Sequence, residues 1–187
     1  LDLAAAVRAV QRHDVVVVAS SGNRPDDETD PFFEEFAERT GNEDAAGLVF
    51  PAGYPGVVAV NATSGDPLAD DRDDVLQSSA TDVAAPTLGA VSVALNGGTC
   101  ILAEVATSWS AAEVSGVVAL LRTRFPDDTA EQVIARLRST ASATPGTANP
   151  MVGAGIVQPV EALTRPLHPT RSGELVRADP EPSRFST

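Results

Sequence analysis

The sequence predicts an α/β domain of three layers with a mainly parallel sheet. Two runs, Val15-Val16-Val17-Val18-Ala19 and Val57-Val58-Ala59-Val60, are apolar without alternation, the pattern of strands covered on both faces. The first run follows a helix-patterned segment, residues 1–11, so helix and buried strand succeed one another as α/β folds require. The chain has 187 residues, 43% of them hydrophobic and only 4% aromatic. That suffices for one domain, or a large piece of one, with an aliphatic core.

Leu1, Leu3, Ala6, Val7 and Val10 form the stripe of the first helix, and Asp14 ends it. The sequence opens directly on this amphipathic segment without a signal-peptide pattern, so a start in mid-domain is expected. Residues 20–47 form a long acidic loop with Gly22, Pro25, Pro31 and Gly41 and one helical turn near Phe32 to Phe36. A loop of that length inside a domain is functional or an insertion. Residues 66–74 are a second acidic turn region. Residues 83–103 carry no charge and are long enough to span a bilayer. Pro86, Asn96, Gly97 and Gly98 interrupt them, so they read as strands near residues 90–94 and 100–102 joined by a turn. Residues 108–124 form a helix that is apolar on almost every side, the mark of a central position. Pro126 stops it, and Thr129 caps a further helix with Val133, Ile134, Leu137 and Ala141 on its buried stripe. Residues 153–157 and 159–163 close the domain. We therefore expect a domain over residues 1–164 and a Pro-rich linker or tail over 165–187, where Pro166, Pro169, Pro180 and Pro182 fall.

The net charge is −13, and every fixed positive charge is Arg. Such a chain repels phosphate backbones, so no nucleic-acid partner is expected. The acidity reads as solubility, with a calcium site in the Asp-rich loops as the sharper alternative. Cys100 is alone, which excludes a disulfide within the chain and a CxxC metal site. Its apolar neighbours make it a small buried residue. A nucleotide-binding α/β domain would need a phosphate-cradling Gly-rich loop, and none is present.

Two stretches bear on chemistry. In "ATSWSAAEVSGVVALL", residues 106–121, Ser108 lies in the first turn of the central helix. Free backbone N–H groups and the positive helix end favour a developing oxyanion there, although the same position suits a simple N-cap. In Ser20-Ser21-Gly22-Asn23, an Asn follows the first strand. Sites in parallel sheets lie beyond the carboxyl ends of strands, and an Asn there can offer its amide to a substrate oxygen or merely end a turn.

With Tyr54-Pro55-Gly56-Val57-Val58-Ala59-Val60 and Asp82-Val83-Ala84-Ala85-Pro86, these stretches resemble, in order and spacing, the C-terminal half of a subtilisin-like serine protease, a subtilase. Ser21-Gly22-Asn23 matches the family's small-Gly-Asn turn. Residues 106–116 match its Gly-Thr-Ser-x-Ala/Ser-x-Pro-x-Val-Ala/Ser-Gly signature. The resemblance runs from residue 1 to about residue 164. It implies a subtilisin-like fold and a serine endopeptidase acting on polypeptide, with no cofactor or metal in the chemistry. Ser108 would be the nucleophile. Asn23 would donate to the oxyanion from its side chain, with the Ser108 N–H as second donor, and Ser110 and Ser115 would be packing positions. Arg124-Phe125-Pro126, the ending Gly153-Ala154-Gly155-Ile156-Val157-Gln158-Pro159-Val160-Glu161-Ala162-Leu163-Thr164 and the Pro-rich tail look like mycosins. These are membrane-anchored subtilases of actinobacterial type VII secretion systems. That likeness implies an extracytoplasmic place and type VII membrane components as partners.

The family's triad runs Asp, His, Ser, so its acid and base would both precede residue 15. The two histidines do not serve: His13 follows a helix, and His168 comes after the serine. The expectation is a piece whose triad Asp and His belong to a missing N-terminal half, inactive by itself. The alternative is a pseudoprotease with a structural role in a secretion complex. Three signature positions depart from the family: Ala106 stands for Gly, Ala112 for Pro, and Trp109 for a smaller Met or Phe. The Cβ of Ala106 is expected either to crowd substrate or to force a different backbone angle.

Overall fold

The computed structural model describes residues 2–38, 40, 42–66, 68–142 and 149–175. The first helix, α1 (Leu3–Gln11), starts where the Asp2 carboxylate accepts the Ala5 N–H at 3.0 Å. It leads to strand β1 (Val17–Ser20). The loop after β1 holds the single turn α2 (Phe33–Phe36) and returns as β2 (Val57–Thr63), followed by β3 (Thr81–Pro86). The three strands are parallel in the order β1-β2-β3. An antiparallel hairpin follows, β4 (Val91–Val93) and β5 (Thr99–Ile101), then α3 (Thr107–Arg124), α4 (Ala130–Thr140) and α5 (Pro159–Thr164). The uncharged stretch of residues 83–103 is thus strand and hairpin. Among the described residues no helix is long and apolar enough to cross a membrane.

Strand β2 is the centre. All seven of its residues are buried, and its alternation divides the core. Val57 and Ala59 meet Val7 of α1, Ala19 and Ala52 on one side. Val58 and Val60 meet Val83, Val114, Leu121, Val133 and Leu137 on the other. Helices on both faces of a parallel sheet make the three layers.

Three expectations are corrected. Strand β1 is only half-buried at Val16, Val17 and Val18, and Val15 is 46% exposed. Among the described strands β1 pairs with β2 alone, so its outer edge has no neighbour. Helix α3 buries Ser110, Val114, Val117, Val118 and Leu121, yet Ala112, Ser115, Gly116, Ala119 and Leu120 lie exposed along its other side. Ser115 is therefore not a packing residue, and its hydroxyl donates to the Ala111 carbonyl one turn back. Cys100 is half-buried rather than buried, because its hairpin stands away from the core with Val91, Val93 and Ile101 on an open face.

The far end of α3 is pinned by Asp14, which takes the left-handed φ of 60°. Its carboxylate accepts from Arg122 at 3.0 Å and from the Ala130 N–H at 2.6 Å, joining the end of α1 to α3 and α4. Helix α4 opens on a capping box, Thr129 with Gln132. Residues beyond α5 lie against that opening: Gln132 Nε2 donates to the Pro169 carbonyl at 2.8 Å, and Thr129 Oγ1 to that of Arg171 at 3.2 Å. The rest of the expected tail, residues 176–187, lies outside the described residues.

The β2–β3 ladder shifts register between Ala59 and Val60, opposite Asp82. There the Ala59 N–H donates to Asp82 Oδ2 at 2.9 Å, and Arg138 pairs with the same carboxylate at 2.5 Å. Burial nevertheless outweighs both partners and holds the Asp82 carboxyl above its ordinary range. Its contribution to stability is complete below the ordinary aspartate value and is lost as pH rises through the raised one. Relative to Asp82→Asn, the native chain should lose stability on going from about pH 3.5 to neutrality. Urea unfolding of both proteins across that window measures the difference, and a constant difference would refute the assignment.

Candidate active site

Asn23 and Thr107, the residue before Ser108, meet beyond the carboxyl end of β1, although they are 84 positions apart in sequence. Gly22 makes the turn possible. Its φ is +114°, and a Cβ there would lie 3.1 Å from both Leu76 and Val49 side chains. The chain then runs antiparallel to residues 74–76. The Leu76 N–H donates to the Gly22 carbonyl at 3.0 Å, Asn23 bridges Val75, and the Arg24 N–H donates to the Asp74 carbonyl at 2.8 Å.

This positions the Asn23 amide against the start of α3. Its Oδ1 accepts two hydrogen bonds, from the Thr107 N–H and from Thr107 Oγ1, each at 2.8 Å. The Thr107 N–H can only donate, so its bond fixes which way the amide points. Nδ2 is left on the open side of an exposed residue, with no hydrogen-bond partner among the described residues. Ser108 comes next on the helix and is exposed. The Thr107 N–H is taken by Asn23, while the Trp109 and Ser110 N–H groups turn back to the Ala106 carbonyl. The Ser108 N–H is left over, one of the donors that every helix start leaves unused. Two unspent donors and a hydroxyl thus share one end of α3, where the helix dipole also favours negative charge.

Buried polar side chains hold this end in place. Ser110, fully buried, donates from Oγ to the Asn61 carbonyl at 2.6 Å, which makes it the packing residue expected. Asn61 reaches the Leu76 carbonyl with Nδ2 at 3.0 Å and so supports the segment that pairs with Asn23. Thr87 Oγ1 donates to the Glu104 carbonyl and accepts the Ala106 N–H, both at 3.2 Å. Ala106 has φ −144° and ψ 129°, ordinary extended backbone that needs no glycine. Its methyl group therefore forces no unusual angle.

Arg24, directly after Asn23, is the strongest anchor and was not singled out from the sequence. Its guanidinium grips both Glu43 oxygens at 2.9 Å, the Phe36 carbonyl at 2.6 Å and the Arg72 carbonyl at 2.7 Å. The two side chains are 8% and 2% exposed. Removing one partner of so buried a pair strands the other charge. Arg24→Ala should cost about 3–5 kcal/mol in urea unfolding; a loss below 1 kcal/mol, the range of surface ion pairs, would contradict this. The rim is acidic. Burial and then Asp71, Asp73, Asp26 and Glu104 push the Asp74 carboxyl above its ordinary range. The donors of Asn23 and Ser108 would therefore stabilise an anion against an unfavourable field.

No base joins them among the described residues. Asp14, the neighbour of His13, binds Arg122 at the other end of α3. Ser108 and Arg122 are separated by 14 residues of helix, roughly 21 Å at 1.5 Å per residue. Pro169, the neighbour of His168, contacts Gln132 at the start of α4, also at that far end.

The subtilase family model, peptidase S8, matches residues 2–155. Mycosin-1 of Mycobacterium tuberculosis is 42% identical over 96 residues, covering 47% of this chain and 22% of that protein. The crystal structure of MycP1 from Mycobacterium smegmatis superposes with a TM-score of 0.67 at 27% identity, over 92% of this chain and 47% of that one. A structure of the periplasmic assembly from the ESX-5 inner membrane complex matches with a TM-score of 0.65 at 27% identity, over 96% of this chain and 45% of that one. The fold is subtilisin-like, and the chain spans about half the length of the solved chains it matches. The chain is similar to mycosins, and it belongs to the subtilase family.

Proposed function

We propose that this chain carries the nucleophile and the oxyanion site of a subtilisin-like serine endopeptidase, completed by an Asp and a His from outside it. The observation that carries the reading is the double hydrogen bond from Thr107 to Asn23 Oδ1, which leaves Nδ2 unspent beside Ser108. In the reaction Ser108 Oγ adds to the scissile carbonyl and gives its proton to the supplied His. The resulting oxyanion accepts from Asn23 Nδ2 and the Ser108 N–H. Collapse expels the amine, which takes the proton back from that His, and leaves an acyl group on Ser108, which water then hydrolyses to the free carboxylic acid and Ser108. The catalytic portion is residues 1–164, with residues 165–187 as the tail. By itself the chain is inactive, because neither of its histidines reaches Ser108.

The likeness to mycosins and to a periplasmic assembly supports an extracytoplasmic, envelope-associated protein with type VII secretion components as partners. The same likeness, together with the distance of both histidines from Ser108, favours a second reading: a pseudoprotease that braces a type VII membrane complex. A fluorophosphonate probe separates the two. Under the first reading the longest natural form is labelled, while its Ser108→Ala variant and the 187-residue chain are not. A folded long form that takes no label would leave the bracing role.

A further inference from the structure

Glu113 stands on the flank of α3, about one and a half turns past Ser108, and the chemistry above makes no use of it. It is half-buried at the edge of a recess of about 200 Å³. The remaining walls are apolar and come from three elements: Ala85 and Pro86 at the end of β3, Val114 and Val117 on α3, and Val157 and Pro159 at the entry to α5. Val114 and Val117 also belong to the main core, so this wall of the recess is rigid. Among the described residues nothing pairs with the Glu113 carboxylate. Burial alone raises its pKa, with no cation contributing. A half-desolvated carboxylate against aliphatic walls is costly unless a positive group reaches it.

The geometry points to this recess as the socket for an arginine side chain presented by a partner polypeptide. Its volume is below the roughly 300–1,000 Å³ of small-molecule pockets and suits one long side chain. Arginine has the complementary structure: an aliphatic stem for Val114, Val117, Val157 and Pro159, and a charged tip for Glu113. Guanidinium is preferred to ammonium because it is more weakly hydrated and can grip a carboxylate with two parallel hydrogen bonds.

The test uses the full chain, labelled with ¹⁵N and titrated with n-butylguanidinium, with neutral n-butylurea of the same shape as control. The guanidinium should shift the amides of Glu113, Val114, Val117 and Val157 and bind about tenfold or more tightly than the urea. Glu113→Gln should abolish that preference without lowering the thermal unfolding midpoint, since it removes a costly charge. Equal binding of both probes, binding unchanged in Glu113→Gln, or no shifts at all would overturn the proposal. The chain has its own arginines at positions 177 and 184. If guanidinium binds only after Arg177→Gln and Arg184→Gln are combined, the socket serves this chain's own tail and the partner reading falls. Fluorophosphonate labelling of the long form should be the same with and without Glu113→Gln, so this result and the protease result stand or fall separately.

Discussion

Ser108→Ala, introduced into the longest natural form, should lower kcat for peptide hydrolysis by about 10⁶-fold. That is the size of the loss when the nucleophile is removed from subtilisin itself, a member of this family. The residual rate comes from binding and from the oxyanion donors. Those survive the substitution, because the Ser108 N–H belongs to the backbone and Asn23 is held by Thr107. Ser108 is exposed and its hydroxyl has no hydrogen-bond partner among the described residues, so alanine should fold as well as serine. Steady-state kinetics on a peptide substrate, with thermal unfolding as the folding control, decide the matter. A loss below about tenfold would remove Ser108 from the nucleophile's role.

Asn23→Ala should lower kcat by about 10²–10³-fold and leave KM nearly unchanged. The magnitude is again that of subtilisin, where one oxyanion donor has been removed. The kcat–KM split follows from the geometry, since an oxyanion forms only after attack and ground-state binding does not need the donor. The substitution also releases the Thr107 N–H and Oγ1 from their shared acceptor. Asn23→Asp separates these effects. It keeps an oxygen for Thr107 but replaces the donor with a negative charge beside the developing oxyanion. Its activity should be no better than that of Asn23→Ala. Recovery of activity in Asn23→Asp would mean that holding Thr107 matters and donation does not.

Much of this arrangement could be read in advance, for physical reasons. The Val57-Val58-Ala59-Val60 run needs cover on both faces and has it. Thr129 and Gln132 stand three apart at a helix start and form the capping box. Asn23 and Ser108 are singled out by the order of four short stretches, none of which is decisive alone, and the structure bonds Asn23 to the residue before Ser108. Other features depend on what lies opposite, which a linear pattern does not record. The β1 run looks as apolar as β2 but has one neighbour instead of two. Val91, Val93 and Ile101 alternate as strands should, yet among the described residues nothing covers them. Arg24 looked like one charge in an acidic loop. Its partner Glu43 lies 19 residues on, with several other carboxylates between, and only folding chooses among them. Asn61 lies inside β2 and Thr87 just past β3, where strand pattern says nothing of a role.

The attachment of Asn23 to Thr107 has a mechanical consequence. Under the proposed reading, one oxyanion donor is the backbone of Ser108, and the other belongs to a side chain bonded to the residue just before it. Asn23 is held by that bond and, through its backbone, by residues 74–76, so both donors and the hydroxyl are anchored within this chain and their mutual spacing depends on no part outside it. A histidine supplied from outside the chain, as proposed, would have no such guarantee. Any control of such an enzyme by domain movement would therefore act on proton transfer and leave oxyanion binding untouched. Attack would be switched on and off at the base, with the oxyanion site standing assembled throughout.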